Sequence, residues 1–171
     1  MLATLVDKPF DDEGWSYEIK WDGYRALTYL KKGKPEIRSR NNKSFEKYYP
    51  LYDVFKTWTV DAVLDGEIVV LDDKGQSNFG ALQNWRSEAD GELVYYLFDL
   101  LWLDGHDLTG LPLTERRKLL ESIVPKEGPV RYSDSFNTSG TEFYAAAQKT
   151  GLEKGICSVT SNSLLKPGSA S

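Results

Sequence analysis

Glu18-Ile19-Lys20-Trp21-Asp22-Gly23-Tyr24-Arg25 is the stretch on which the reading of this chain turns. Tyr17, Ile19 and Trp21 alternate with Ser16, Glu18 and Lys20, a period of two that places the segment on or at the end of a half-buried strand. Lys20 then emerges on the polar face. Beyond the Asp22-Gly23 turn, Tyr24 to Leu30 reads as a second strand. Lys31-Lys32-Gly33-Lys34-Pro35 reads as a turn and Glu36 to Ser39 as a third strand, which together predict a small antiparallel meander.

Farther along, Ser44 is a candidate cap for a helix from Phe45 to Thr57, with Tyr48, Leu51, Tyr52 and Phe55 on one face. Val60 to Leu71 is apolar and β-branched, yet Asp65-Gly66-Glu67 interrupts it. Phe79 to Arg86 predicts a short helix, Leu93 to Leu103 a strand, and Thr114 to Val124 an amphipathic helix capped by Thr114. Val130 to Ser133 predicts a further strand, Glu142 to Lys149 a helix capped by Ser139, and Gly155 to Thr160 a last strand. The fold class is therefore α+β, antiparallel sheets flanked by helices, since strands and helices do not alternate as βαβ units. The tail Lys166 to Ser171 is flexible in composition.

With 171 residues and 40% hydrophobic content, one sizeable core and one domain over residues 1–171 are expected. The net charge of -5 argues against broad phosphate neutralisation, so any nucleic-acid contact must come from a local patch. Lys31 to Lys34 and Arg116-Arg117-Lys118 are the basic runs, each read as a solvated turn or helix face or as a contact to phosphates. The single Cys157 excludes an internal disulfide framework and reads as a small core residue. No stretch approaches the roughly 20 apolar residues of a membrane span, and Met1-Leu2-Ala3-Thr4 lacks the basic flank and apolar core of a signal peptide. A reducing, cytoplasmic setting away from membranes is the expectation. His106, in the turn Asp104-Gly105-His106-Asp107, has no base-orienting neighbour in sequence.

Lys20 reads either as a solvated lysine in a strand-turn pair or as an amine nucleophile. A nucleophilic amine must be deprotonated, and a free lysine has a pKa of about 10.4, so such a site must disfavour the ammonium form. Arg25, returned by the turn, and a divalent metal on bound phosphates are candidate cations for that purpose. Gly23 would let the backbone pass close to a nucleotide. Glu67 lies at the centre of a hydrophobic run, where an unpaired carboxylate is costly, so it needs a metal or a ribose hydroxyl unless a hairpin or edge exposes it. Phe98, within Tyr95-Tyr96-Leu97-Phe98-Asp99-Leu100, reads as core or as a base-stacking platform.

In chain order Lys20-Trp21-Asp22-Gly23-Tyr24-Arg25, Asp65-Gly66-Glu67 and Phe98-Asp99 resemble motifs of the covalent nucleotidyltransferases, most closely the adenylation domain of ATP-dependent DNA ligases. Ser39-Arg40-Asn41, Phe79-Gly80-Ala81-Leu82-Gln83 and Phe98-Asp99-Leu100-Leu101 are most similar to bacterial ligases of the end-joining type. The resemblance covers essentially the whole chain. It implies the covalent nucleotidyltransferase, ATP-grasp-like adenylation fold. It also implies that Lys20 attacks the α-phosphate of ATP to form lysyl-AMP, and that AMP then passes to a 5′-phosphate of nicked or broken double-stranded DNA during repair. By the same resemblance Asp22 and Arg25 join Lys20 in catalysis, and Glu18 accepts from the adenine amino group. Phe98 stacks on the base, Arg25 and Arg40 hold ribose and phosphate, and Ile19 and Lys166 line the nucleotide pocket. Glu67 and Glu153 serve the sugar or an Mg2+ ion, the metal suited to hard oxygen ligands.

The fourth motif of the resemblance, E-G followed by apolar residues and a lysine, reads here Glu153-Lys154-Gly155-Ile156-Cys157-Ser158-Val159, with Lys154 inserted and the lysine replaced by Ser158 or Val159. The oligonucleotide-binding domain that follows in the family is expected to be absent from residues 1–171. The resemblance further implies a bacterial, cytoplasmic, nucleoid-associated monomer, with polymerase or nuclease modules in the parent protein. An RNA ligase, a GTP-using capping enzyme, and a nucleotide-binding module with impaired catalysis are the alternative readings. Glu18, as an acceptor for an amino group, favours ATP over GTP.

Overall fold

A computed structural model describes residues 11, 15–136, 139–150 and 156–160. The strands are β1 (Trp15–Ile19), β2 (Tyr24–Lys31), β3 (Lys34–Ser39), β4 (Ala62–Leu71), β5 (Glu92–Leu103), β6 (His106–Asp107), β7 (Val130–Tyr132), β8 (Ser135–Phe136) and β9 (Ile156–Thr160). The α-helices are α1 (Tyr49–Phe55), α2 (Phe79–Asn84), α3 (Leu113–Ile123) and α4 (Gly140–Thr150). Most expected elements form, and their grouping is where sequence and structure part.

β1 does not continue into a meander with β2 and β3. It is the centre of a small sheet ordered β8-β1-β9, whereas β2 and β3 belong to a larger sheet ordered β3-β2-β4-β5-β6, with β7 parallel to β5. Lys20 to Gly23 is thus the connection between two sheets. The period of two in β1 is as read, but its polar face is turned inward. Ser16 and Glu18 are buried, and only at Lys20 does that face open to solvent. On the opposite face Tyr17 packs near Phe143 of α4.

β4 explains why both faces of the large sheet are covered. Leu64, Ile68 and Val70 enter the main core with Leu51 and Phe55 of α1 and Leu82 of α2. Val69 and Leu71, one residue out of phase, form a second cluster with Val94, Trp21 and Tyr96. A strand buried on both sides reads as a nearly continuous apolar run, which is what Val60 to Leu71 displays. Asp65 and Glu67 share the phase of Val69, so both carboxylates project on the face away from the main core.

Two Asp-Gly pairs set the spacing of these strands. A Cβ on Gly23 would stand 2.1 Å from the Ile68 carbonyl oxygen, and one on Gly66 would stand 2.3 Å from that of Tyr96. Gly23 thus lies close against the backbone of β4.

Several caps differ from expectation. α1 begins at Tyr49 because Pro50 sits in its first turn, where proline is tolerated, and Ser44 instead bridges to Arg38. Asn78 caps α2 by accepting from Ala81 N at 2.9 Å. α3 starts at Leu113 with Pro112 before it, so Thr114 is not its cap. Ser139 Oγ does accept from Glu142 N at the start of α4, 3.2 Å away. Among the described residues no helix is long and apolar enough to cross a membrane.

Candidate active site at the junction of two sheets

Lys20 follows directly on β1 and is exposed. The next residue anchors it. The Trp21 ring stacks on Tyr96 of β5 with centroids 3.8 Å apart and planes 2° from parallel. Its Nε1 donates to Ser133 Oγ at 3.2 Å, and Asp22 N lies 3.3 Å from its acceptor, Ser77 Oγ. An aromatic stack and two fixed polar contacts hold the turn where the two sheets meet.

On the large sheet, Arg25 of β2 is paired in register with Glu67 of β4, and Glu67 with Tyr96 of β5. Arg25 reaches diagonally to Asp65, donating from Nε to Oδ1 at 3.1 Å and from Nη2 to Oδ2 at 2.7 Å. This two-pronged geometry is the strong form of the arginine-carboxylate contact. Its positive charge is directed at Asp65, which sequence reasoning left without a partner. The guanidinium carbon also lies 5.5 Å from the centre of the Phe98 ring.

Phe98 owes its position to a β-bulge. Asp65 is opposite Asp99 and Gly66 is opposite Leu97, which leaves Phe98 as the extra residue of β5. A bulge re-aims side chains locally. Here it keeps Phe98 half-buried beside Arg25, so the ring is neither fully core nor fully free.

Glu67 is half-buried, and burial raises its carboxyl from 4.5 to about 7. The charges of Arg25 and Lys20 and a hydrogen bond from Gly23 N act in the opposite direction. A cation arriving there would favour the ionised form. Arg40 lies exposed in the turn after β3, and Asp22 is exposed beside Lys20. Ile19 is half-buried at the end of β1. Glu153 and Lys166 lie outside the described residues.

The structure also brings in groups that sequence reasoning read as solvated. Arg116 and Arg117 on α3 are both buried. Arg116 donates to both carboxylate oxygens of Asp99, at 2.7 and 2.9 Å, and to the Leu111 carbonyl. Arg117 Nη1 lies 2.5 Å from Glu18 Oε1, and its Nε donates to the Phe98 carbonyl at 3.0 Å. The signal was present in the spacing. Leu113, Leu120 and Val124 define the buried stripe of the helix, and positions 116 and 117 fall within it.

A nucleophile candidate thus sits between a buried carboxylate on one sheet and an ion-paired, aromatic-bearing face on the other. Residues 1–169 match the family model described as the ATP dependent DNA ligase domain, and the chain belongs to that family. It is 37% identical over 162 residues to the multifunctional non-homologous end joining protein LigD of Pseudomonas aeruginosa, covering 89% of this chain and 19% of that protein. Among solved structures, a mycobacterial DNA ligase D complexed with ATP and MES matches with a TM-score of 0.81 at 33% identity, over 98% of this chain and 55% of that one. The ligase domain of M. tuberculosis LigD matches with a TM-score of 0.78 at 32% identity, over 93% and 52% respectively. The chain therefore spans about a fifth of the curated relative's length and about half of each solved ligase chain. The fold is that of these ligase domains, an α+β nucleotidyltransferase architecture.

Proposed function

We propose that this chain is the nucleotide-activating domain of a bacterial end-joining DNA ligase, with Lys20 as the residue that carries AMP. The observation behind the reading is the place of Lys20. It lies at the sheet junction, two residues beyond buried Glu18, and its charge acts on Glu67 of the large sheet. In the reaction the Lys20 nitrogen forms a bond to the α-phosphorus of ATP, the bond to pyrophosphate breaks, and the amine proton leaves to solvent. The AMP then passes to a DNA 5′-phosphate. In-line transfer of this kind depends mainly on positioning and on neutralising phosphate charge.

Glu18 would accept from the adenine amino group and Phe98 would stack on the base. Arg40 would reach ribose or phosphate, with Ile19 and Lys166 completing the pocket. Arg25, held by Asp65, would support Phe98 and present the remainder of its edge to the ribose. Asp22 would help to orient the Lys20 turn.

No group of three potential metal ligands occurs among the described residues. The donor set fits Mg2+ held by Glu67 and Glu153 together with phosphate oxygens, the usual arrangement of one or two carboxylates plus substrate. Mg2+ so held would neutralise charge on the phosphates. In its parent protein the domain would act as a monomeric unit on nicked or broken DNA in the cytoplasm, at the nucleoid, beside an oligonucleotide-binding domain and polymerase or nuclease modules.

The test is to mix the protein with ATP and Mg2+, read the intact mass and locate any adduct by peptide mapping. An added AMP on Lys20 is expected. A folded sample that binds ATP but gains no adduct overturns the covalent step.

A further inference from the structure

Arg117 stands between the two groups expected to meet the nucleobase. Its Nη1 lies 2.5 Å from Glu18 Oε1, with both side chains more than nine-tenths buried, and its Nε donates to the Phe98 carbonyl at 3.0 Å. One guanidinium therefore ties a side chain of the small sheet to the backbone bulge of the large one. The two atoms form a short ion pair in the interior, where each charge depends on the other for its stabilisation.

We propose that Arg117 is a positioning residue that makes the site choose adenine over guanine, by holding Glu18 as a fixed, ionised acceptor at the base edge. The inference rests on the reading of Glu18 as the base contact. An ionised carboxylate only accepts hydrogen bonds. It therefore matches the amino group that adenine carries at C6 and repels the carbonyl oxygen that guanine carries there. A buried carboxyl deprived of its cation takes up a proton instead, and can then donate to that carbonyl.

The surroundings support this assignment. Burial raises the Glu18 carboxyl, Arg117 opposes the rise, and Asp99 adds to it. Asp99 faces Glu18 from β5 and Tyr132 from β7, but the Asp99 charge is already bound by Arg116. Arg117 is thus the cation in ion-pair contact with Glu18 among the described residues. The same side chain fixes the bulge that carries Phe98, so base edge and base face share one support.

Calorimetric binding of ATP and of GTP to the full chain tests the proposal without requiring the covalent step. Wild type, R117Q, R117K, E18Q/R117Q and the exposed-site control K118Q would be compared. Wild type and K118Q are expected to prefer ATP, and the preference should fall about tenfold in R117Q, the net worth of about one hydrogen bond. E18Q/R117Q, which leaves no unpaired buried charge, should fall by the same factor and remain folded if R117Q does not. R117K should recover part of the preference. A folded R117Q or E18Q/R117Q that keeps the full preference overturns the proposal, as does an equal weakening of both nucleotides, which marks a purely structural arginine. Wild type that binds neither nucleotide overturns the nucleotide reading itself, whereas wild type that binds both equally overturns this proposal and the role of Glu18 while leaving the nucleotide reading in place.

Discussion

Asp65 and Asp99 face each other across β4 and β5, and each carboxylate is bound by its own arginine, Asp65 by Arg25 and Asp99 by Arg116. Two opposed acids on neighbouring strands would repel if left unpaired. The two ion pairs permit the arrangement, and the bulge between Leu97 and Asp99 places Phe98 beside it.

Asp99→Ala should destabilise the domain by about 3–5 kcal/mol, because Arg116, only 1% exposed, would lose its counter-charge in the interior. Urea unfolding measures this. The double variant D99N/R116M, with no buried charge left, should recover at least half of the loss. If Asp99→Ala alone costs less than 1 kcal/mol, the pair does not support the bulge as described.

Lys20→Ala should abolish covalent labelling by ATP while changing stability by no more than about 0.5 kcal/mol, the usual range for an exposed substitution. Intact mass and thermal melting give the two readouts. An AMP adduct on this variant would remove Lys20 as the nucleophile.

The Glu67 carboxyl gives stability a pH dependence with a definite sign. Its folded-state value of about 7 exceeds the ordinary 4.5, so between these values the folded state holds a proton that the unfolded state has released. Stability should therefore fall as pH rises from 5 to 7 in the presence of a metal chelator. Glu67→Gln should flatten that slope and stabilise the protein by about 1–2 kcal/mol at pH 8, less than the full shift implies because the group is partly solvated. Urea titrations at pH 5, 6, 7 and 8 decide it. An unchanged slope in the variant would show that another group controls this window.

Gly66→Ala and Gly23→Ala should each cost more than about 2 kcal/mol, since the new methyl would press on a strand carbonyl that cannot move without breaking the ladder. Gly75→Ala makes the comparison. Its φ of +75° is strained for alanine, but nothing lies within 4 Å, so a loss of only about 1 kcal/mol is expected. Chemical denaturation of the three variants should reproduce this order, and near-equal losses would contradict the close-approach account.

Local sequence patterns carried much of the architecture. The apolar run of β4, the helical stripe of α3 and the Ser139 cap of α4 are each properties of a few neighbouring residues, and each forms where those patterns place it. The Lys20, Glu67 and Phe98 motifs were likewise visible as residue types in a fixed order. β6 and β8, two residues each, carried no pattern long enough to read.

Tertiary structure alone decided which sheet β1 joins and what each charged side chain faces. A period of two marks two faces of a strand but does not say whether the polar face meets water or another sheet, and in β1 it meets the arginine-bearing α3. For the same reason Arg116 and Arg117 read as solvated from composition, although their partners Asp99 and Glu18 are 17 and 99 residues away. Sequence fixes chemical identity and local period. Pairing between distant charges depends on how α3 packs against β5 and β1, and only the folded chain sets that packing.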